Sequence, residues 1–223
     1  MLNQINELLS NKVGSMALAL EKMQELEKSD PVAKKAGWKP ARRGGRSFLI
    51  THQLQLNGQD ELSFQPTWMS WAYHLLLSLI GLSVTAFFCS KFLSDQSIEM
   101  TLSVLIATML SLWFIYTAII TLRPMAFDKK RSVFWKGWFR PANNGSKNVP
   151  IQSIHALQII SEQCSTSKSS QTGTRYRSYE LNLVLDNGTR INLLDQKWLA
   201  QLQKDAIALA SFLDVPLWDM GSL

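Results

Sequence analysis

The sequence predicts a membrane α+β chain, in which a two-helix transmembrane hairpin is inserted into a seven-strand barrel closed by a C-terminal helix, with an amphipathic helix at the N-terminus. Three observations predict this. Two long stretches, 68–93 and 100–122, are apolar and carry only Lys91 as a charged residue. The segments on either side alternate apolar and polar residues at period two between turn residues. After Asp195 the apolar spacing turns helical. Composition agrees, since only 18% of the 223 residues are charged, against ~25% in soluble domains. Because the apolar residues are concentrated in two runs, an ordinary soluble globule is not expected. Eight Trp and ten Phe argue against disorder. Two cysteines, Cys89 in an apolar run and Cys164 in a polar loop, cannot form a disulfide framework.

In chain order, residues 1–30 form the amphipathic helix. Leu2, Ile5, Leu9, Met16, Leu20 and Met23 fall near helical spacing, Gly14 weakens the centre, and Asp30-Pro31 ends it. Two uses stay open: packing on the barrel or on a second copy, and entering a partner's groove or lying on the bilayer. Residues 31–46 read as a basic linker. Residues 47–66 hold the first β-hairpin, with strands at 47–56 and 61–64 around Asn57-Gly58-Gln59-Asp60.

Residues 67–123 are the transmembrane hairpin. Crossing ~30 Å of hydrocarbon takes ~20 apolar residues, and both runs are long enough. The connection at 94–99 is short, so the spans are antiparallel. Lys34, Lys35, Lys39, Arg42, Arg43 and Arg46 precede the first span, and Arg123, Lys129, Lys130, Arg131, Lys136 and Arg140 follow the second. The outer connection has Lys91 against Asp95 and Glu99, so both termini are expected in the cytoplasm. Trp68, Trp71, Tyr73, Trp113 and Tyr116 suit an aromatic belt. Ser78, Gly81 and Thr85 on one span, and Ser103, Ala107 and Ser111 on the other, form small-residue stripes. Such stripes let helix backbones approach closely, either within the hairpin or at a homo-oligomer seam. His74 lies near the interface and no acid or base lies mid-membrane, so transport by this chain alone is not expected.

Residues 124–218 supply the remaining strands, at 125–128, 132–139, 149–161, 176–185 and 189–194, with a turn at Asn143-Asn144-Gly145. The stretch 162–175 reads as a polar loop. Asn187-Gly188 reads as a turn with positive φ at both positions. Asp195 is expected to cap a helix carrying Trp198, Leu202, Ala206, Leu209 and Leu213, which Pro216 stops. Two strands before the spans, five after and one terminal helix match the element order of a pleckstrin-homology-like (PH-like) barrel.

Particular residues carry a resemblance as well. Phe127-Asp128-Lys129-Lys130-Arg131, Phe134-Trp135-Lys136-Gly137, Val149-Pro150-Ile151, Ile154-His155-Ala156-Leu157-Gln158, Tyr179-Glu180-Leu181-Asn182-Leu183-Val184-Leu185, Arg190-Ile191-Asn192 and Phe212-Leu213-Asp214-Val215-Pro216-Leu217-Trp218 resemble poorly characterised bacterial two-span membrane proteins with a PH-like cytoplasmic domain. The resemblance covers about 44–218. It implies the fold and a bacterial inner-membrane location, and carries over no catalytic residues.

No enzyme signature is present: no Gly-x-Ser-x-Gly elbow, no phosphate-cradling glycine loop and no His-Glu-x-x-His pair. His52, His74 and His155 are scattered, Cys164 has no neighbouring cation, and the acids lie mostly in turns or on helix surfaces. Neither catalysis nor a cofactor or metal is expected. Arg42, Arg43, Arg46, Lys129, Lys130 and Arg131 are candidates for lipid headgroups, although setting topology explains their positions without further assumptions. Lys168, Arg175 and Tyr176, in and beside the polar loop, are candidates for a protein partner. The basic clusters lack interleaved aromatics, so no nucleic-acid binding is expected. The expected function is a non-enzymatic membrane protein that displays a protein-binding module. One concrete form is an immunity protein that neutralises a membrane-directed toxin. The rivals are an anionic-lipid sensor or envelope-stress adaptor, and an accessory subunit of a membrane enzyme or transporter.

Overall fold

The computed structural model describes residues 17–18, 20–41, 50–139, 148–165 and 175–221. The turn at Asn143-Asn144-Gly145, residues Arg42, Arg43, Arg46 and Lys168, and the first part of the N-terminal helix lie outside the described residues.

Residues 20–29 are helical (α1). Asp30 ends this helix and starts another, because its Oδ1 accepts from Val32 N at 2.8 Å and Pro31 fits the first turn of α2 (Pro31–Ala36). The expected linker therefore begins with a helical turn. Strands β1 (His52–Leu56) and β2 (Glu61–Pro66) form the first hairpin. Two long helices follow, α3 (Trp68–Phe92) and α4 (Ile98–Thr121). Thr67 Oγ1 caps α3 by accepting from Ser70 N, and Ser97 Oγ caps α4 by accepting from Met100 N. Both helices are long and apolar enough to cross a membrane, with mean hydropathy of 1.8 and 2.0. Only 6% and 11% of those apolar windows is buried, so they are not the core helices of a soluble domain. The residues they bury are Ser70, His74 and Gly81 on α3, and Ala107 and Ser111 on α4.

Past the helices come β3 (Met125–Asp128), β4 (Val133–Lys136) and the short β5 (Val149–Pro150). A 3₁₀ turn over Ile151–Ser153 leads to β6 (Ile154–Ser165), β7 (Arg175–Leu185) and β8 (Arg190–Gln196). Helix α5 (Leu199–Leu213) ends at Asp214, which adopts left-handed φ 58°, and β9 (Leu217–Met220) closes the order. The strands form two sheets, β1-β2-β3-β4-β5 and β8-β7-β6-β9, with β9 parallel to β6. Among the described residues neither sheet closes on itself, so the strands form two open sheets where a seven-strand barrel is expected. The reason is local. The expected strand 149–161 breaks at the 3₁₀ turn, giving β5 to one sheet and β6 to the other, and the chain past α5 adds β9.

Three other expectations change. Asp195 does not cap α5: it sits in β8 and accepts from Asn192 Nδ2 at 2.8 Å, while Trp198 occupies the N-cap position. In the β7–β8 turn only Gly188 has positive φ (84°), and Gly188 N donates to Leu185 O at 2.7 Å. Residues Glu162 to Ser165 are the last of β6 rather than loop, and Cys164 is buried there.

The core lies between the sheets and α5. Phe64, Met125, Phe127, Leu157, Ile159, Leu181, Leu183, Leu202 and Leu209 are fully buried, and the Phe127 and Phe134 rings stack at 4.6 Å. Truncating one such Phe to Ala costs ~3–5 kcal/mol.

Candidate functional site

Two regions of the fold bear on function. The first is the joint between helices and sheet. Strands β2 and β3 pair antiparallel, and each continues directly into one of the two long apolar helices, β2 through Pro66 and Thr67 and β3 back through Pro124 and Arg123. Short hydrogen bonds lock the crossing. Thr67 Oγ1 donates to Ile50 O at 2.6 Å and Thr67 N to Thr51 O at 2.9 Å. His52 Nε2 lies 3.0 Å from Arg123 O. Burial pushes the His52 imidazole down to about 4; the Arg123 carbonyl opposes that shift and the charge of Lys136 adds to it. The ring is therefore neutral and donates to the carbonyl. Between the helices, Thr85 Oγ1 and Ser111 Oγ lie 2.8 Å apart beside Gly81. A Cβ on Gly81 would come within 3.1 Å of Ser111 and Phe114. Gly81, Thr85, Ala107 and Ser111 thus meet inside the hairpin, while Ser78 and Ser103 are half-buried.

The second region is the sheet β8-β7-β6-β9. Its inner face joins the core, and its outer face is covered by residues 26–41. Leu26, Val32, Ala33, Ala36 and Trp38 pack on Ala156, Val184 and Trp218. His155 Nε2 lies 2.7 Å from Asp30 Oδ2, and Asp186 Oδ1 lies 3.6 Å from His155 Nδ1. Burial raises the Asp30 carboxyl, but the bonds from His155 and Val32 outweigh it and hold the group below its ordinary value. Beyond α2 the chain is held by side chain to main chain contacts: Gln158 Nε2 donates to Gly37 O at 3.1 Å, Arg190 Nη1 to Lys39 O at 2.7 Å, and Ala41 N to Glu180 Oε2 at 2.8 Å. Gln158, Glu180 and Asn182 are buried beneath it. These polar residues were not foreseen as a group. Their alternation with Leu157, Leu181 and Leu183 predicts only that they leave the core, and the covering segment is remote in sequence.

Past Tyr179, which pairs with Gln196 of β8, the β6–β7 ribbon continues through Glu162↔Ser178, Gln163↔Arg177, Cys164↔Tyr176 and Ser165↔Arg175. Tyr176 is half-buried opposite Cys164, and burial, together with Cys164 and Glu162, pushes its phenol up. Lys129, Lys130 and Arg131 sit in the β3–β4 turn, at the end of β3 away from the helices. Lys130 Nζ is 3.1 Å from Asp60, Arg131 Nε is 3.9 Å from Asp128, and Lys129 Nζ stands 4.7 Å over the Phe212 ring. Among the described residues no group of three or more His, Cys, Asp and Glu is placed to hold a metal.

Comparison with protein-family models, with curated proteins and with solved structures finds no match for this chain.

Proposed function

We propose that this chain is a non-enzymatic bacterial inner-membrane protein that displays a PH-like module on the cytoplasmic side to bind another protein. The observation that carries the reading is the joint. A hydrogen-bonded strand pair runs into the helix pair without a linker, so the β domain is held at the bilayer in a fixed pose. The element order supports the PH-like reading: five strands in one sheet, then the antiparallel strands β6, β7 and β8 and a helix, with the spans between the second and third strands and β9 added after the helix. Basic residues on the domain side of both helices favour cytoplasmic termini. The extension of β6 and β7 past β8, with Tyr176 and Arg177 half-exposed on it, is the proposed contact surface. An immunity protein that holds a membrane-directed toxin is the concrete form of this proposal. An anionic-lipid sensor is the weaker reading, because Lys129, Lys130 and Arg131 already have protein partners at the end of β3 away from the helices.

The test is crosslinked capture by tagged full-length protein in detergent, comparing the native chain with Tyr176→Ala and Arg177→Ala. One dominant partner, lost or strongly reduced in these variants but retained with Gln59→Ala at the distal turn, supports the proposal. Recovery of the chain alone with anionic lipid overturns it in favour of lipid sensing.

A further inference from the structure

The direction of β4 gives the domain a further contact with the membrane. Strand β3 starts just past α4, and β4 runs antiparallel to it, with Met125 opposite Lys136. The chain leaving β4 is therefore aimed back at the helix ends. Gly137 N donates to Pro124 O at 2.9 Å, and Trp138 Nε1 donates to Ile119 O at 3.0 Å, within the last turn of α4. The Trp138 ring also meets Trp71 of α3 edge-on, with centroids 5.7 Å apart. Trp138 thus bridges both helices at the level where their apolar surface ends. The next side chain, Phe139, is 90% exposed, and Trp68 at the start of α3 is 77% exposed.

We infer that Trp138 and Phe139 form a third membrane contact, seated in the lipid interface beside the two spans. The occupant is the bilayer, because the two residues continue the lipid-facing surface of α3 and α4 and are tied to it by a hydrogen bond at the helix end. An indole with its N–H satisfied by protein and its ring among apolar side chains suits that depth, where Trp concentrates. Trp138 is the positioning residue, and Phe139 is the group that enters lipid. The inference rests on the membrane reading of α3 and α4.

The test uses full-length protein in nanodiscs, in a Cys89→Ala, Cys164→Ala background. A nitroxide is placed at Phe139→Cys, at Ile106→Cys on α4, or at Gln59→Cys in the turn farthest along β2 from the helices. Collision with oxygen is compared with collision with a water-soluble nickel complex. The expected result is an oxygen-to-nickel ratio at 139 several-fold above that at 59 and below that at 106, falling toward the value at 59 when Trp138→Ala is added. A ratio at 139 equal to that at 59, with 106 oxygen-rich, overturns this inference and leaves the membrane reading intact. If 106 itself is not oxygen-rich, the membrane reading fails and this inference falls with it. A label at 139 that neither reagent reaches means a protein surface covers the site, which also overturns the inference. An unchanged ratio at 139 after Trp138→Ala overturns the positioning role.

Discussion

At the scale of single residues, two buried ionisable groups set opposite pH dependences. His52 is 6% exposed and held neutral against Arg123 O. Its folded value of about 4 lies below the ordinary 6.5, so between these values the unfolded chain binds a proton that the folded chain refuses. The His52 contribution to stability is therefore fully present above pH 6.5 and is lost as pH drops toward 4, by up to about 3 kcal/mol at 1.36 kcal/mol per unit. His52→Gln keeps a donor for the Arg123 carbonyl. Thermal melts in detergent from pH 7 to 4 should show a flatter dependence for this variant than for the native chain; parallel curves would mean that His52 does not carry the effect. Asp205 on α5 is the reverse case. It is 5% exposed, its Oδ2 has no partner, and burial raises its carboxyl value against the lowering effects of Gln201 and Lys204. The folded chain here takes the proton first, so this group stabilises at low pH and costs stability as pH rises. Asp205→Asn should raise the melting midpoint at pH 7, with the gain shrinking toward pH 4.

At the scale of elements, the α3–α4 contact is decided by the small side chains between them. Gly81→Leu places a branched side chain where even a Cβ is tight against Ser111 and Phe114. The expected cost is ~1–3 kcal/mol, as for other overpacked contacts. A disulfide probe across the helices should form more slowly in this variant, and an unchanged rate would place the contact elsewhere. These two helices were legible because a chain of this size has no core large enough to bury two long uncharged runs, whereas a bilayer accommodates both. The β7–β8 hairpin was legible from Asp186-Asn187-Gly188, although a turn residue does not fix which turn forms. Other elements were illegible for physical reasons. The polar residues Glu162 to Ser165 read as loop, and only their pairing with Arg175, Tyr176, Arg177 and Ser178 makes them strand. Leu217–Met220 is too short to declare itself without β6 beside it. Asp195 has the chemistry of a helix cap but bonds sideways to Asn192. Lys129, Lys130 and Arg131 look like a headgroup cluster in sequence, and only the course of β3 shows that they sit at its end away from the helices.

At the scale of the whole molecule, the α3–α4 pair and the β domain are expected to move as one body, because the joint between them has no linker. The bonds from Thr67 to Ile50 and Thr51, and from His52 to Arg123, hold both crossings at once, while Trp138 braces the helix ends from the side. This can be tested without knowing the partner. Nitroxides at Gln59→Cys in the distal turn and Thr101→Cys near the far end of α4, in the cysteine-free background, should give one narrow distance distribution in nanodiscs. Inserting Gly-Gly-Ser between Pro66 and Thr67 and again between Arg123 and Pro124 separates the strands from the helices while leaving each sheet and each helix its own hydrogen bonds. The distribution should then broaden, and capture of a partner that needs the domain in a fixed pose should weaken with it. A distribution that stays narrow would place the coupling in the Trp138 brace instead, and adding Trp138→Ala to the inserted chain would then have to release it.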